Sequence, residues 1–94
     1  MKKQKAQQVH ASKRFEERYG LRFTQRLDDH IRCAVHSGGA ILLQRTSLRA
    51  SVYECLFRVS GNETDDESLI GKLIILRFVF DKKRNQVVTA LPRE

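Results

Sequence analysis

Residues 50–59 read Ala-Ser-Val-Tyr-Glu-Cys-Leu-Phe-Arg-Val. Tyr53, Cys55, Phe57 and Val59 fall on one face of an extended chain, and Glu54 and Arg58 on the other. That alternation is the period-two pattern of a half-buried β-strand. Downstream, Lys72 to Phe80 is apolar on both faces apart from Arg77, which predicts a central strand. Between the two, Ser60 to Ser68 holds Gly61, Asn62 and the acids Glu63, Asp65, Asp66 and Glu67, the composition of an exposed, mobile hairpin loop. Asp81-Lys82-Lys83-Arg84-Asn85 is a polar turn into a last strand, Gln86 to Leu91, closed by Pro92. On the other side, Ala40 to Gln44 is a short apolar strand.

Upstream the period changes from two to 3.6. Thr24 is an N-cap for a helix from Gln25 to about His36, with Asp28 and Asp29 near its positive end, and Ser37-Gly38-Gly39 stops it. An earlier helix runs from about Ala6 to Tyr19, where Gly20 ends it, behind a disordered basic tail over residues 1–5. Ala11, Phe15 and Tyr19 form one row of that helix, and His10, Arg14 and Arg18 form the adjacent row, so a polar ridge borders the buried seam. Helix, helix, then four strands joined by short connections predicts an α+β domain. Its economical form has two N-terminal helices packed on one face of a four-stranded antiparallel meander sheet.

Ninety-four residues, 40% of them hydrophobic, supply one core and therefore one main site. No apolar run approaches the roughly 20 residues that cross a bilayer, so no membrane partner is expected. Gln7, Gln8, His10 and Ser12 stand where a signal peptide would need an apolar stretch. Cys33 and Cys55 read as reduced core thiols, which fits a cytoplasmic setting. Lys plus Arg outnumber Asp plus Glu by 18 to 11, for a formal charge of +7. Met1 to Arg26 carries the basic residues Lys2, Lys3, Lys5, Lys13, Arg14, Arg18, Arg22 and Arg26 against Glu16 and Glu17. Such a field favours phosphate-rich partners, RNA first among them.

Chemistry narrows by elimination. His10, His30, His36, Cys33 and Cys55 show no CxxC, HExxH or paired Cys/His spacing, so neither a metal nor another cofactor is expected. Gly38-Gly39 lacks the Lys and the strand-to-helix setting of a phosphate-binding loop. What remains is His10 with Arg14 and Arg18 on one ridge, and Arg45, Thr46, Ser47, Tyr53 and Thr89 on elements that can face it. Metal-independent RNA cleavage, in which the ribose 2′-hydroxyl attacks its own phosphodiester, needs a proton acceptor, a proton donor and cations for the growing charge. Imidazole titrates near neutral pH and Arg grips phosphate with a planar fork. Set against this, His10 on a solvated helix face and Arg14 paired with Glu17 are the plain structural alternatives.

His10-Ala11-Ser12-Lys13-Arg14 followed by Glu17-Arg18-Tyr19-Gly20 resembles the HA-x-x-R-x-x-x-R-(Y/F)-G opening of small phage and bacterial domains. Those domains are related to ribonuclease toxins of the barnase, EndoU, colicin and RelE type. The similarity runs on through Ser37-Gly38-Gly39, Arg45-Thr46-Ser47, Ser51 to Glu54, Val79 to Lys83 and Val87 to Pro92. It implies that His10 and Arg14 from the first helix and Ser47 and Thr89 from the sheet meet as catalytic residues in one cleft. Arg18, Arg45 and Tyr53 would bind substrate beside them. The acidic run Glu63 to Glu67 departs from what an RNA-binding surface requires.

The expected function is therefore a toxin-like, metal-independent endoribonuclease acting on RNA, with an acidic antitoxin or immunity protein as a partner. The alternatives are a noncatalytic RNA-binding module and a protein-binding module, such as a phage factor acting on a host protein. The sequence leaves the oligomeric state open.

Overall fold

The computed structural model describes the backbone of residues 2–92 and the side chains of residues 10–92. Two helices, α1 (Lys2–Tyr19) and α2 (Gln25–Ser37), precede four strands, β1 (Ile41–Arg45), β2 (Ala50–Arg58), β3 (Leu73–Asp81) and β4 (Gln86–Leu91). The α+β order expected above is the order observed. Helix α1 begins at Lys2, where a disordered tail over 1–5 was expected; residues 2–9 are mainly Lys, Gln and Ala, good helix formers, and contain no Gly or Pro to stop the helix. Met1 lies outside the described residues. Gly20, at φ 69°, ends the helix by donating its N–H to the Glu16 carbonyl at 2.9 Å. Thr24 caps α2 as predicted, its Oγ1 accepting the Leu27 N–H at 3.1 Å.

The four strands form one antiparallel sheet in chain order, β1-β2-β3-β4. Directly paired residues share a face. The rows Tyr53–Phe78–Ala90 and Ser51–Phe80–Val87 therefore look one way, and the rows Val52–Val79–Thr89 and Glu54–Arg77–Leu91 the other. Phe78, Phe80, Val87 and Ala90 are buried in the same cluster as Ala11, Phe15, Leu27 and Ile31, so both helices cover the first face. Burying each large apolar side chain there stabilises the fold by about 1.5–3 kcal/mol. The second face is open. Leu73 and Ile75 are exposed on it, so the two-sided apolar pattern of β3 reflects one covered face and one uncovered one. Glu54 and Arg77 pair across it at 2.6 Å. Extra residues between Leu42 and Gln44, and between Val87 and Thr89, are β-bulges that bend the sheet.

Tyr19 fastens α1 to the sheet. Its hydroxyl donates to the Leu91 carbonyl at 2.7 Å and accepts the Arg77 N–H at 2.8 Å, closing the ladder where β4 ends. Tyr19→Phe removes both bonds and strands a half-buried N–H. It is expected to destabilise the protein by about 1.5 kcal/mol, seen as a lower urea midpoint at unchanged m-value.

Strand direction separates the connections into two poles. The β1–β2 turn (46–49) and the β3–β4 turn (82–85) lie at one end of the sheet, and the long 59–72 loop lies at the other. Nine-residue strands put the poles about 30 Å apart. The acidic loop is thus remote from the basic turns. It also differs from its expected character, because Glu63 and Thr64 are buried. The Glu63 carboxylate accepts from Thr24 Oγ1 at 2.7 Å, from Arg26 Nη2 at 2.8 Å and from the Ser60 N–H at 2.9 Å, tying the loop to the start of α2. No described helix is long and apolar enough to cross a membrane.

Candidate functional site

A cavity of about 340 Å3 opens at the pole formed by the two short turns. Arg45, at the end of β1, Arg49, in the β1–β2 turn, and Lys82 and Lys83, in the β3–β4 turn, supply its cations. The turns are tied together by the Lys82 N–H, which donates to the Arg49 carbonyl at 3.2 Å. Leu42, Leu48, Ser51 and Tyr53 complete the lining. All four cations are exposed, and none of their side chains makes a hydrogen bond or ion pair among the described residues.

The basic residues elsewhere are largely engaged. Arg14 pairs with Glu17 at 3.1 Å, Arg22 with Asp65 at 3.2 Å, Arg26 with Glu63 at 2.8 Å and Arg32 with Asp28 at 3.1 Å. Arg77 pairs with Glu54, and Arg58 donates to the Gly71 carbonyl at 2.7 Å. Uncompensated positive charge therefore gathers at the cavity pole.

Tyr53 lines the cavity at 7% exposure, its ring stacked on Phe78 and edge-on to Phe80. Its hydroxyl has no hydrogen-bond partner among the described residues. Ser47 sits in the turn beside the cavity, but its hydroxyl already accepts the N–H groups of Arg49 and Ala50 at 3.3 and 3.0 Å. That is a turn-forming role.

The other expected site residues do not line the cavity. His10 and Arg18 are exposed on α1 and neither makes a side-chain bond among the described residues, whereas Arg14 is held by Glu17. Thr89 pairs with Val79, which puts it on the open face of the sheet, behind the face that α1 covers. Arg45 and Tyr53 are brought together; no described contact joins His10 or Arg14 to Ser47 or Thr89. Arg49, Lys82, Lys83 and Leu48 belong to the cavity and were missed as site residues, although turns 46–49 and 82–85 carry Arg and Lys on both sides of Asp81 without another acid.

A second groove, of about 270 Å3, is lined by His30, Cys33 and Cys55 among others. Both thiols are free, and burial pushes that of Cys55 up to about 11, so it stays protonated and unreactive. Among the described residues no three His, Cys, Asp or Glu side chains gather as a set of metal ligands. Comparison with known proteins finds no matching family model, no matching curated protein and no matching solved structure.

Proposed function

We propose that this protein binds RNA, with the cavity between the two short turns at the centre of the contact. One observation carries the reading: Arg45, Arg49, Lys82 and Lys83 surround one cavity with no acidic partner among the described residues, while the acidic loop lies at the opposite pole. Arg forks and Lys ammonium groups so placed neutralise successive phosphates, and separation of the acids removes the repulsion that the sequence raised. Four phosphate contacts on a single strand imply a log–log salt slope near −3, so affinity falls about fiftyfold between about 50 and 200 mM salt. Fluorescence anisotropy with a labelled single-stranded RNA measures it.

Metal-independent cleavage by 2′-hydroxyl attack is the second reading. It rests on the resemblance of the His10 to Gly20 segment to ribonuclease toxins and on the exposed, unpartnered His10 ring, which is open to proton transfer. In that reading Arg14 must leave Glu17 to hold phosphate, and the cationic pole supplies the remaining charge. Incubating a mixed RNA pool in EDTA with wild type and with His10→Ala decides it. Cyclic-phosphate ends made by the wild type alone support cleavage. Salt-dependent binding without cleavage leaves only the binding reading. Absence of RNA binding at about 50 mM salt would overturn both readings and turn attention to an acidic protein surface, an antitoxin or immunity protein among them, as the partner of the cations.

A further inference from the structure

We infer that the cavity holds one unpaired nucleotide of a single strand, with its phosphate among Arg45, Arg49, Lys82 and Lys83 and its base against Leu42, Leu48 and Tyr53. This rests on the RNA-binding reading and narrows it from a charged surface to a strand-selective pocket. A surface that only neutralised phosphates would need cations and nothing else. This cavity has an apolar side as well: Leu48 is fully exposed at the tip of its turn, and Leu42 is 46% exposed at the edge of the sheet. Both lack a packing partner that would explain them as core.

Tyr53 supplies the polar element. It is more than nine-tenths buried, its ring packs against Phe78 and Phe80, it lines the cavity, and its hydroxyl has no hydrogen-bond partner among the described residues. Together with the Ser51 hydroxyl it can meet a base edge or a ribose hydroxyl. The volume of about 340 Å3 is at the small end of ligand pockets, enough for one nucleotide. Single strands offer a base face and a phosphate together, whereas a duplex buries its base faces in the stack and presents only backbone to such a site.

The test compares a labelled single-stranded RNA of about 12 nucleotides, within the site sizes of such modules, with the same sequence as a duplex. Wild type, Leu48→Ala and Arg49→Ala are titrated with both. Leu48 packs against nothing, so its removal leaves the fold intact. Wild type is expected to favour the single strand by about tenfold, the scale of covering one large apolar side chain, and Leu48→Ala to lose most of that preference without changing duplex binding. Arg49→Ala weakens both. Equal affinity for the two forms, unchanged by Leu48→Ala, overturns the nucleotide pocket and leaves the RNA-binding reading standing. Absence of binding to either form overturns both. A nucleoside monophosphate that displaces the strand at a concentration near the strand's own dissociation constant also overturns the inference, because the pocket then serves a free nucleotide.

Discussion

Glutamine at Arg45, Arg49, Lys82 and Lys83 together is expected to lower the affinity for single-stranded RNA at least about a hundredfold at about 50 mM salt. The log–log salt slope should become shallower by about 3, since each phosphate contact on a single strand contributes roughly 0.7. All four side chains are exposed and unbonded among the described residues, so their exchange removes charge without removing a described contact. An unchanged urea midpoint and an unchanged circular dichroism spectrum check this. The comparison variant carries glutamine at Lys13 and Arg18, two exposed cations of α1. If the helix variant loses binding and the cavity variant keeps it, RNA lies along α1 and the cavity is not the site. If neither loses binding, the cationic pole does not carry the affinity, whatever its charge.

The pattern of residues made most of this fold legible. β4 spans Gln86–Leu91 as the spacing predicts, α2 and β2 begin where expected and end one residue away, and β1 and β3 are shifted by one residue at both ends. These elements read well because one face of each meets a single core, so period and burial agree. Helix α1 read less well at its start. Residues 2–9 are polar, and nothing in their pattern distinguishes a solvated helix from a charged tail except the absence of a breaker.

The candidate site was legible only in part, for a topological reason. Arg45 and Tyr53 were singled out from the sequence and do share a cavity, but Lys82 and Lys83 join them only because the meander brings the β1–β2 and β3–β4 turns to the same end. A turn rich in Lys reads as a solvated connection until its neighbour across the sheet is known. Thr89 shows the converse. One extra residue in β4, at Val88, decides which face its hydroxyl occupies, and bulges leave no signature in alternation over so short a strand. Glu63 is a third case. Among four acids in one loop, burial of one is invisible to composition, although Ser60-Gly61-Asn62-Glu63 has the spacing of a capping box, in which the acid reaches back to the Ser N–H.

Glu63→Ala is expected to be the most destabilising change in the acidic loop, at about 3 kcal/mol, which lowers Tm by roughly 15 °C in a domain of this size. Burial alone would raise the Glu63 carboxyl, but hydrogen bonds from Arg26, Thr24 and Ser60 outweigh it and hold the group at about 2. A folded-state value below the ordinary 4.5 means that folding is favoured by the ionised form. The stabilisation is therefore fully present above about pH 4.5 and is lost as pH falls toward 2. Asp28 acts in the opposite sense: burial raises its carboxyl against the pull of Arg32, so its contribution to stability increases as pH falls. Glu63→Gln separates the two. It preserves size, leaves Asp28 in place and removes the ionisation, while turning one acceptor oxygen into a donor, a cost that does not vary with pH. The difference in unfolding free energy between wild type and Glu63→Gln should thus be large at neutral pH and shrink steadily below about pH 4.5. A difference that stayed constant with pH would show that Glu63 acts through packing and neutral hydrogen bonds, with its charge contributing nothing. Because Glu63 holds the long loop to α2 at the pole remote from the cavity, RNA affinity per folded molecule should not change in either variant.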